Sequence, residues 1–404
     1  MIKRATIKYG FIFLIIFFIL ILIGFKDKKE DKKTFTFWTI QLKAPAGDII
    51  QKNIDIFKNR YPELKIVWVD IPIGEAQKRT IASILGGNPP DLINLNPEFS
   101  LLLAQKNALE YFNEYEVKNY NEGIINKLKY ENKIYALPFY ATSSVTVLNK
   151  EKFKNCNVKL ETYNDILKLS SCSPLPVFGI SLNEGGSFAK ILNKYNVNQN
   201  SMTPDSIKEV YYLFYDINEK GLLLKDGLAV NHRENIEKYM SETAAFITAG
   251  SNFTDMIKQN APDVYKNSIV LPQLKGSNSE YDISIMNFII PKRAKNKELA
   301  KEFAHLLLNY ENQMALAKKT NVLPVNKEAL NNDYFKNCGT DLIDSARCIA
   351  SKQLNSPLND DFGFKNKKEI NDLINNSLET ILIKGKEKFD PVSLYNSLKG
   401  LIKD

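Results

Sequence analysis

Thr34-Phe35-Thr36-Phe37-Trp38-Thr39, then residues 47–60 with Ile50, Ile54 and Phe57 at helical spacing, then Leu64-Lys65-Ile66-Val67-Trp68-Val69: this stretch decides the fold. Aromatic and β-branched runs suit extended backbone, whereas apolar residues recurring every three to four positions suit an amphipathic helix. The opening therefore reads β-α-β. A helix around residues 75–85, the turn Gly86-Gly87-Asn88-Pro89-Pro90 and a short strand Asp91-Leu92-Ile93-Asn94-Leu95 continue the alternation. Strands alternating with helices predict an α/β fold with a mostly parallel, doubly wound sheet. Ligands of such sheets sit beyond the carboxyl ends of the strands, which points to Trp38 to Gln41 and to Asn94 to Pro97.

A second segment begins where Ala136-Leu137-Pro138-Phe139-Tyr140 leads into Val145-Thr146-Val147-Leu148-Asn149. Helices are predicted at about 162–170, 187–195 and 203–220. Thr162 with Asp165 three residues on is a variant of the capping box, and Thr203-Pro204 puts proline at the first helical position. The chain carries no internal repeat, which excludes solenoid architectures.

At 404 residues the chain exceeds the roughly 250–300 at which one hydrophobic core stops growing, so two lobes are expected. A hydrophobic fraction of 44% and a charged fraction of 25% are those of a globular protein, without a multi-span membrane bias. The net charge of +8 is mild for this length, and Lys and Glu are scattered rather than gathered into the basic stripe that nucleic-acid binding requires.

Residues 10–25 are apolar, preceded by Lys3, Arg4 and Lys8 and followed by a charged spacer at 26–33. This pattern is that of an export signal or membrane anchor in residues 1–25. The stretch is slightly short for a span of about 17–25 residues, and no small-x-small cleavage pattern follows it. No cysteine lies near residue 25 to carry a lipid. In an oxidising compartment, proximity favours disulfides Cys156 with Cys172 and Cys338 with Cys348; four cysteines allow three complete connectivities, and four unpaired thiols are the alternative. No Cys-x-x-Cys is present and the histidines are His232 and His305, so neither a zinc site nor any other cofactor is expected.

Four blocks, in order, resemble the extracellular solute-binding proteins of the maltose-binding type. They are Phe37-Trp38 with the Gly86-Gly87-Asn88-Pro89-Pro90-Asp91 turn; residues 130–138 with 147–153; Glu242 to Asn252; and Asn287 through residues 296–303 to Val322-Leu323-Pro324-Val325. Two departures stand out: Leu148 occupies a position that is usually Tyr, and Asn252 one that is usually Trp. The resemblance implies a type II periplasmic-binding-protein fold, with residues 34–141 and 286–331 in one lobe and 142–285 and 332–404 in the other. It also implies a monomeric capture component of an ABC importer, held outside the cytoplasmic membrane, that closes by hinge rotation around a sugar and passes it to a membrane permease.

Buried sugar hydroxyls need hydrogen-bonding partners, and sugar C–H faces pack on aromatic rings. The expected set is therefore Trp38 and Tyr140 as platforms with Gln41, Asn96, Ser143, Ser251, Asn252 and Asn287 as polar contacts. Asn287 is equally compatible with a turn or cap. Trp68 reads as core. Tyr211, Tyr212 and Tyr215 share a helix with Val210, Leu213 and Phe214, so aromatic packing is favoured over iron ligation.

Three other readings are weighed. A carbohydrate-active hydrolase needs two carboxylates placed across a cleft, and no acidic residue stands in such a context; a serine hydrolase lacks the Gly-x-Ser-x-Gly elbow. Gly185-Gly186-Ser187 before a helix is a weak anion cradle, which keeps a phosphorylated solute such as glycerol phosphate in play. A tethered sensor ectodomain would need a partner chain for signalling.

Overall fold

The computed structural model describes residues 33–182, 186–356, 362–363 and 366–403. The expected signal or anchor, most of the spacer and Gly185 lie outside the described residues. The strands are β1 (Thr34–Ile40), β2 (Lys65–Ile71), β3 (Leu92–Leu95), β4 (Lys129–Tyr130), β5 (Lys133–Ile134), β6 (Leu137–Asn149), β7 (Phe178–Gly179), β8 (Phe246–Gly250), β9 (Ser268–Leu271), β10 (Ile283–Ile289) and β11 (Leu323–Pro324). The main sheet runs β2-β1-β3-β10-β6-β8-β7, with β9 and β11 also paired to β6. Pairing is parallel at its ends, β1 with β2 and β3, and β7 with β8. Around β6 and β10 it is antiparallel.

The β-α-β opening is present. β1 alternates: Phe35 and Phe37 are fully buried and pack around Phe303 at 5.5 and 4.8 Å between ring centroids, while Trp38 leans on a second cluster containing Ile40, Ile71 and Ile93. The helix α1 (Lys43–Arg60) starts before Gly47, but Ala46 breaks its dihedrals at φ −138°, ψ 18°. The Asp70 carboxylate accepts from the backbone N–H of Leu42 (3.0 Å) and Lys43 (2.9 Å), satisfying donors that a helix start leaves open. Asp91 of the Pro-Pro-Asp turn accepts from the Asn296 backbone at 2.8 Å and from Thr36 at 2.9 Å, so two sequence-distant blocks meet there.

Residues 137–149 form one continuous strand of 13 residues, on the order of 40 Å long at about 3.3 Å per residue. β10 and β11 flank its first part, with Ile283 opposite Ser143 and Leu323 opposite Ala141. From Ser144 onward its partners are β8 and β9. A single strand thus changes all its neighbours between Ser143 and Ser144, while β10 carries a register shift between Met286 and Asn287.

The remaining long helices are α2 (Ile73–Leu85), α3 (Pro97–Gln105), α4 (Ser187–Lys194), α5 (Pro204–Glu219), α6 (His232–Met240), α7 (Lys297–Leu307), α8 (Tyr310–Thr320), α9 (Leu342–Gln353), α10 (Lys367–Lys384) and α11 (Pro391–Lys403). Residues Tyr163–Ser171 are a 3-10 helix rather than an α-helix, capped by the Thr162/Asp165 box. Tyr211 is buried against Phe389 at 4.5 Å and donates to the Ile374 carbonyl at 3.0 Å, whereas Tyr212 and Tyr215 take the Lys386 ammonium at 4.7 and 5.1 Å from their ring centroids. Trp68 stacks on Phe37 at 5.9 Å. Disulfides join Cys156 to Cys172 and Cys338 to Cys348. No described helix is long and apolar enough to cross a membrane.

Candidate functional site

Two adjoining cavities, of about 320 and 580 Å3, share Lys190, His232, Asp282 and Ser284. The smaller is walled by Thr142 and Ser144 of β6, Thr248 and Gly250 at the end of β8, and Asn252 and Phe253 just beyond it. The larger opens toward the start of α3, through Asn96, Pro97 and Glu98, and toward α10, through Lys367, Ile370 and Asn371. The site therefore lies where the two halves of the sheet part, bordered by both. A more apolar hollow of about 600 Å3 beside β9 is walled by residues 148–162 and 269–275 alone, so hinge motion would not enclose a ligand in it.

The positions of the eight expected residues differ. Asn96 lines the larger cavity, and its Oδ1 accepts from the Phe99 N–H at 2.9 Å to cap α3. Asn252 lines the smaller, with buried Ser251 next to it in the chain. Gln41 is exposed at the carboxyl end of β1, in left-handed backbone at φ 51°. Trp38 is half-buried against the second core cluster. Tyr140 is half-buried on Phe139 at 5.1 Å; burial and the charge of Asp70 push its phenol well up. Neither aromatic lines the two cavities. Ser143 and Asn287 are buried in the scaffold. Ser143 Oγ accepts from Gln273 at 3.1 Å and Gln353 at 2.8 Å, and Asn287 Nδ2 donates to Ser100 Oγ at 2.9 Å.

Gln273, which sequence reasoning missed, is 2% exposed and organises the cavity floor. Its Nε2 also donates to the Asp282 carbonyl at 2.7 Å. Its Oε1 accepts from the Asp282 backbone at 3.0 Å and from Lys194 Nζ at 2.9 Å. Lys194, 3% exposed, donates further to the Leu274 carbonyl at 2.8 Å and stands 5.7 Å from the Tyr163 ring centroid. Burial disfavours its charged form and brings its pKa down to about 8. Asp282 pairs with Lys190 at 3.0 Å, and the lysines around it hold its carboxyl below the usual carboxylate range against the opposing effect of burial. At the mouth, Glu98 and Lys367 pair at 3.1 Å. His232 meets Phe253 edge-on at 5.0 Å. Hydroxyls, amides and charged groups around a concavity suit a polar solute. Among the described residues no group of three His, Cys, Asp or Glu side chains is placed to hold a metal ion.

The chain is 25% identical over 281 residues to the multiple sugar-binding protein of Streptococcus mutans, in a match taking in 62% of this chain and 65% of that protein. It is 24% identical to the diacetylchitobiose binding protein of Streptomyces coelicolor over 66% of this chain and 67% of that one. The curated relatives are thus matched over about two thirds of their length. Its fold is that of the GacH receptor of Streptomyces glaucescens, with TM-score 0.74, 15% identity and coverage of 93% of this chain and 100% of that one. Residues 52–339 match the bacterial extracellular solute-binding proteins, and the chain belongs to that family.

Proposed function

We propose that this protein is the capture subunit of an ABC importer and takes a sugar or oligosaccharide into the cavities between its lobes. The observation that carries this reading is the placement of a polar-lined cleft at the point where β6 exchanges neighbours, so that rotation about β6 and β10 would close it around a solute. The names of the relatives, sugar-binding in Streptococcus mutans and diacetylchitobiose-binding in Streptomyces coelicolor, support a carbohydrate. In this reading the lobes divide at residues 141/142, 285/286 and 331/332. The protein is a monomeric binder with no reaction of its own, exported through its N-terminal segment, and a permease receives the closed form.

Asn252, Asn96 and Ser251 are retained as solute contacts, joined by Lys190, His232 and Asp282, which line both cavities. Trp38, Gln41 and Tyr140 line neither cavity. A thermal-shift screen against saccharides, glycerol phosphates, amino acids and polyamines tests the reading. A ligand at 100 times its Kd stabilises the native state by about 2.7 kcal/mol. A saturable shift confined to saccharides, reduced by Asn252→Ala and without product formation, is expected; a shift with amino acids or polyamines alone, or turnover of a glycan, would overturn it.

A further inference from the structure

We infer that the solute carries an anionic group, a sugar carboxylate or phosphate ester, that is received by Lys194 and Lys190 at the floor of the smaller cavity. This rests on the proposed solute-binding role and names the solute class.

One face of α4 lines that cavity: Ser187, Lys190, Ile191 and Lys194, spaced by three to four residues, all border it. The N-cap of the helix, Gly186, is in left-handed backbone at φ 70° and borders the larger cavity. Lys190 is neutralised by Asp282 at 3.0 Å. Lys194 is not. Its two hydrogen-bond acceptors, Gln273 Oε1 and the Leu274 carbonyl, are both neutral, and among the described residues no carboxylate lies within ion-pair distance of its Nζ. Two ammonium groups, one of them 3% exposed, against a single carboxylate are costly unless a further anion arrives. The balance among the described residues points the same way: the two cavities are bordered by Lys127, Lys190, Lys194 and Lys367 against Glu98 and Asp282. The Thr248 hydroxyl, shut from solvent and without a hydrogen-bond partner, borders the same wall and suits an acceptor-rich group. A neutral sugar would satisfy hydroxyl geometry but leave Lys190 and Lys194 sharing the one Asp282 carboxylate.

Titration calorimetry on the purified protein tests this with a panel of neutral mono- to tetrasaccharides, the matched uronates and the matched sugar phosphates. The tightest ligand is expected to be charged, and the carboxylate and phosphate arms identify which anion. Lys194→Met is expected to weaken the charged ligand roughly 10- to 100-fold, the range of a charge-assisted hydrogen bond, and its neutral parent less than about threefold. Lys194→Gln, which keeps a donor, reports the same split if the methionine variant folds poorly. A neutral saccharide binding as tightly as its charged counterpart, or a Lys194 variant weakening both equally, overturns the inference while leaving the sugar-binding role standing. Failure of every saccharide, charged or neutral, overturns that role and the inference with it.

Discussion

Two contacts of opposite character border the cleft. At the back, Gln273, Ser143 and Gln353 are 2%, 1% and 2% exposed and tie β6, the start of β10 and α9 together through hydrogen bonds of 2.7–3.1 Å. At the mouth, Glu98 and Lys367 meet at 3.1 Å with side chains 34% and 29% exposed. A buried neutral network is costly to break, because each group it strands loses its partner without gaining water. An exposed ion pair is worth about 0–1 kcal/mol and exchanges readily with solvent. In the proposed closure the back lies beside the axis and the mouth is free to open.

Gln273→Ala is the harshest way to break that contrast. It strands Ser143, the Asp282 backbone and Lys194, and should lower unfolding stability by about 3–5 kcal/mol, read from the urea midpoint. A loss below about 1 kcal/mol would show that the network is incidental. Replacing Cys156 and Cys172 together by Ser removes a cross-link between residues 16 apart and should cost about 2–4 kcal/mol by the same measurement, without altering solute affinity, since the bond lies away from the cleft.

Lys194 gives a pH signature. Its pKa is about 8 in the folded chain against about 10.4 when unfolded, so between those values the unfolded state binds the proton and the native state does not. Stability then rises with pH in that window, by at most about 1.4 kcal/mol per unit, and the full burial penalty stands below it. Asp282, Lys190 and Tyr163 face the same ammonium; Tyr163, its phenol pushed up by burial, acts in the opposite direction above about pH 10, so the comparison with Lys194→Met belongs between about pH 8 and 9.5. Glu98→Gln is the mildest change. Stability should fall by less than about 1 kcal/mol, while small-angle scattering of the solute-free protein shows a larger radius of gyration as the mouth loses its pair.

The fold was legible in the sequence where a single element carries its own pattern. Phe35 and Phe37 alternate with Thr36 and Trp38, and the spacing of Ile50, Ile54 and Phe57 matches a buried helix face, so the β-α-β opening followed directly. The continuity of β6 was not legible, because Thr142-Ser143-Ser144 carries no apolar alternation; the backbone there is held by β10 and the Ser143 hydroxyl by Gln273 and Gln353, neither of which leaves a local signal. The strand-end rule brought Asn96 to the cleft. It overlooked that Trp38 is two residues short of the end of β1, where its ring packs on the sheet face. Lys190 and Lys194 look like the solvated lysines found on most amphipathic helices. Only the distant Gln273 and Asp282, folded over α4, make them part of a floor.

The central claim is that a solute is enclosed between lobes that turn about β6 and β10. Small-angle scattering with and without a saturating saccharide tests it most directly. A fall in the radius of gyration on binding, absent in Asn252→Ala at the same concentration, is predicted; binding by calorimetry with an unchanged radius would contradict it.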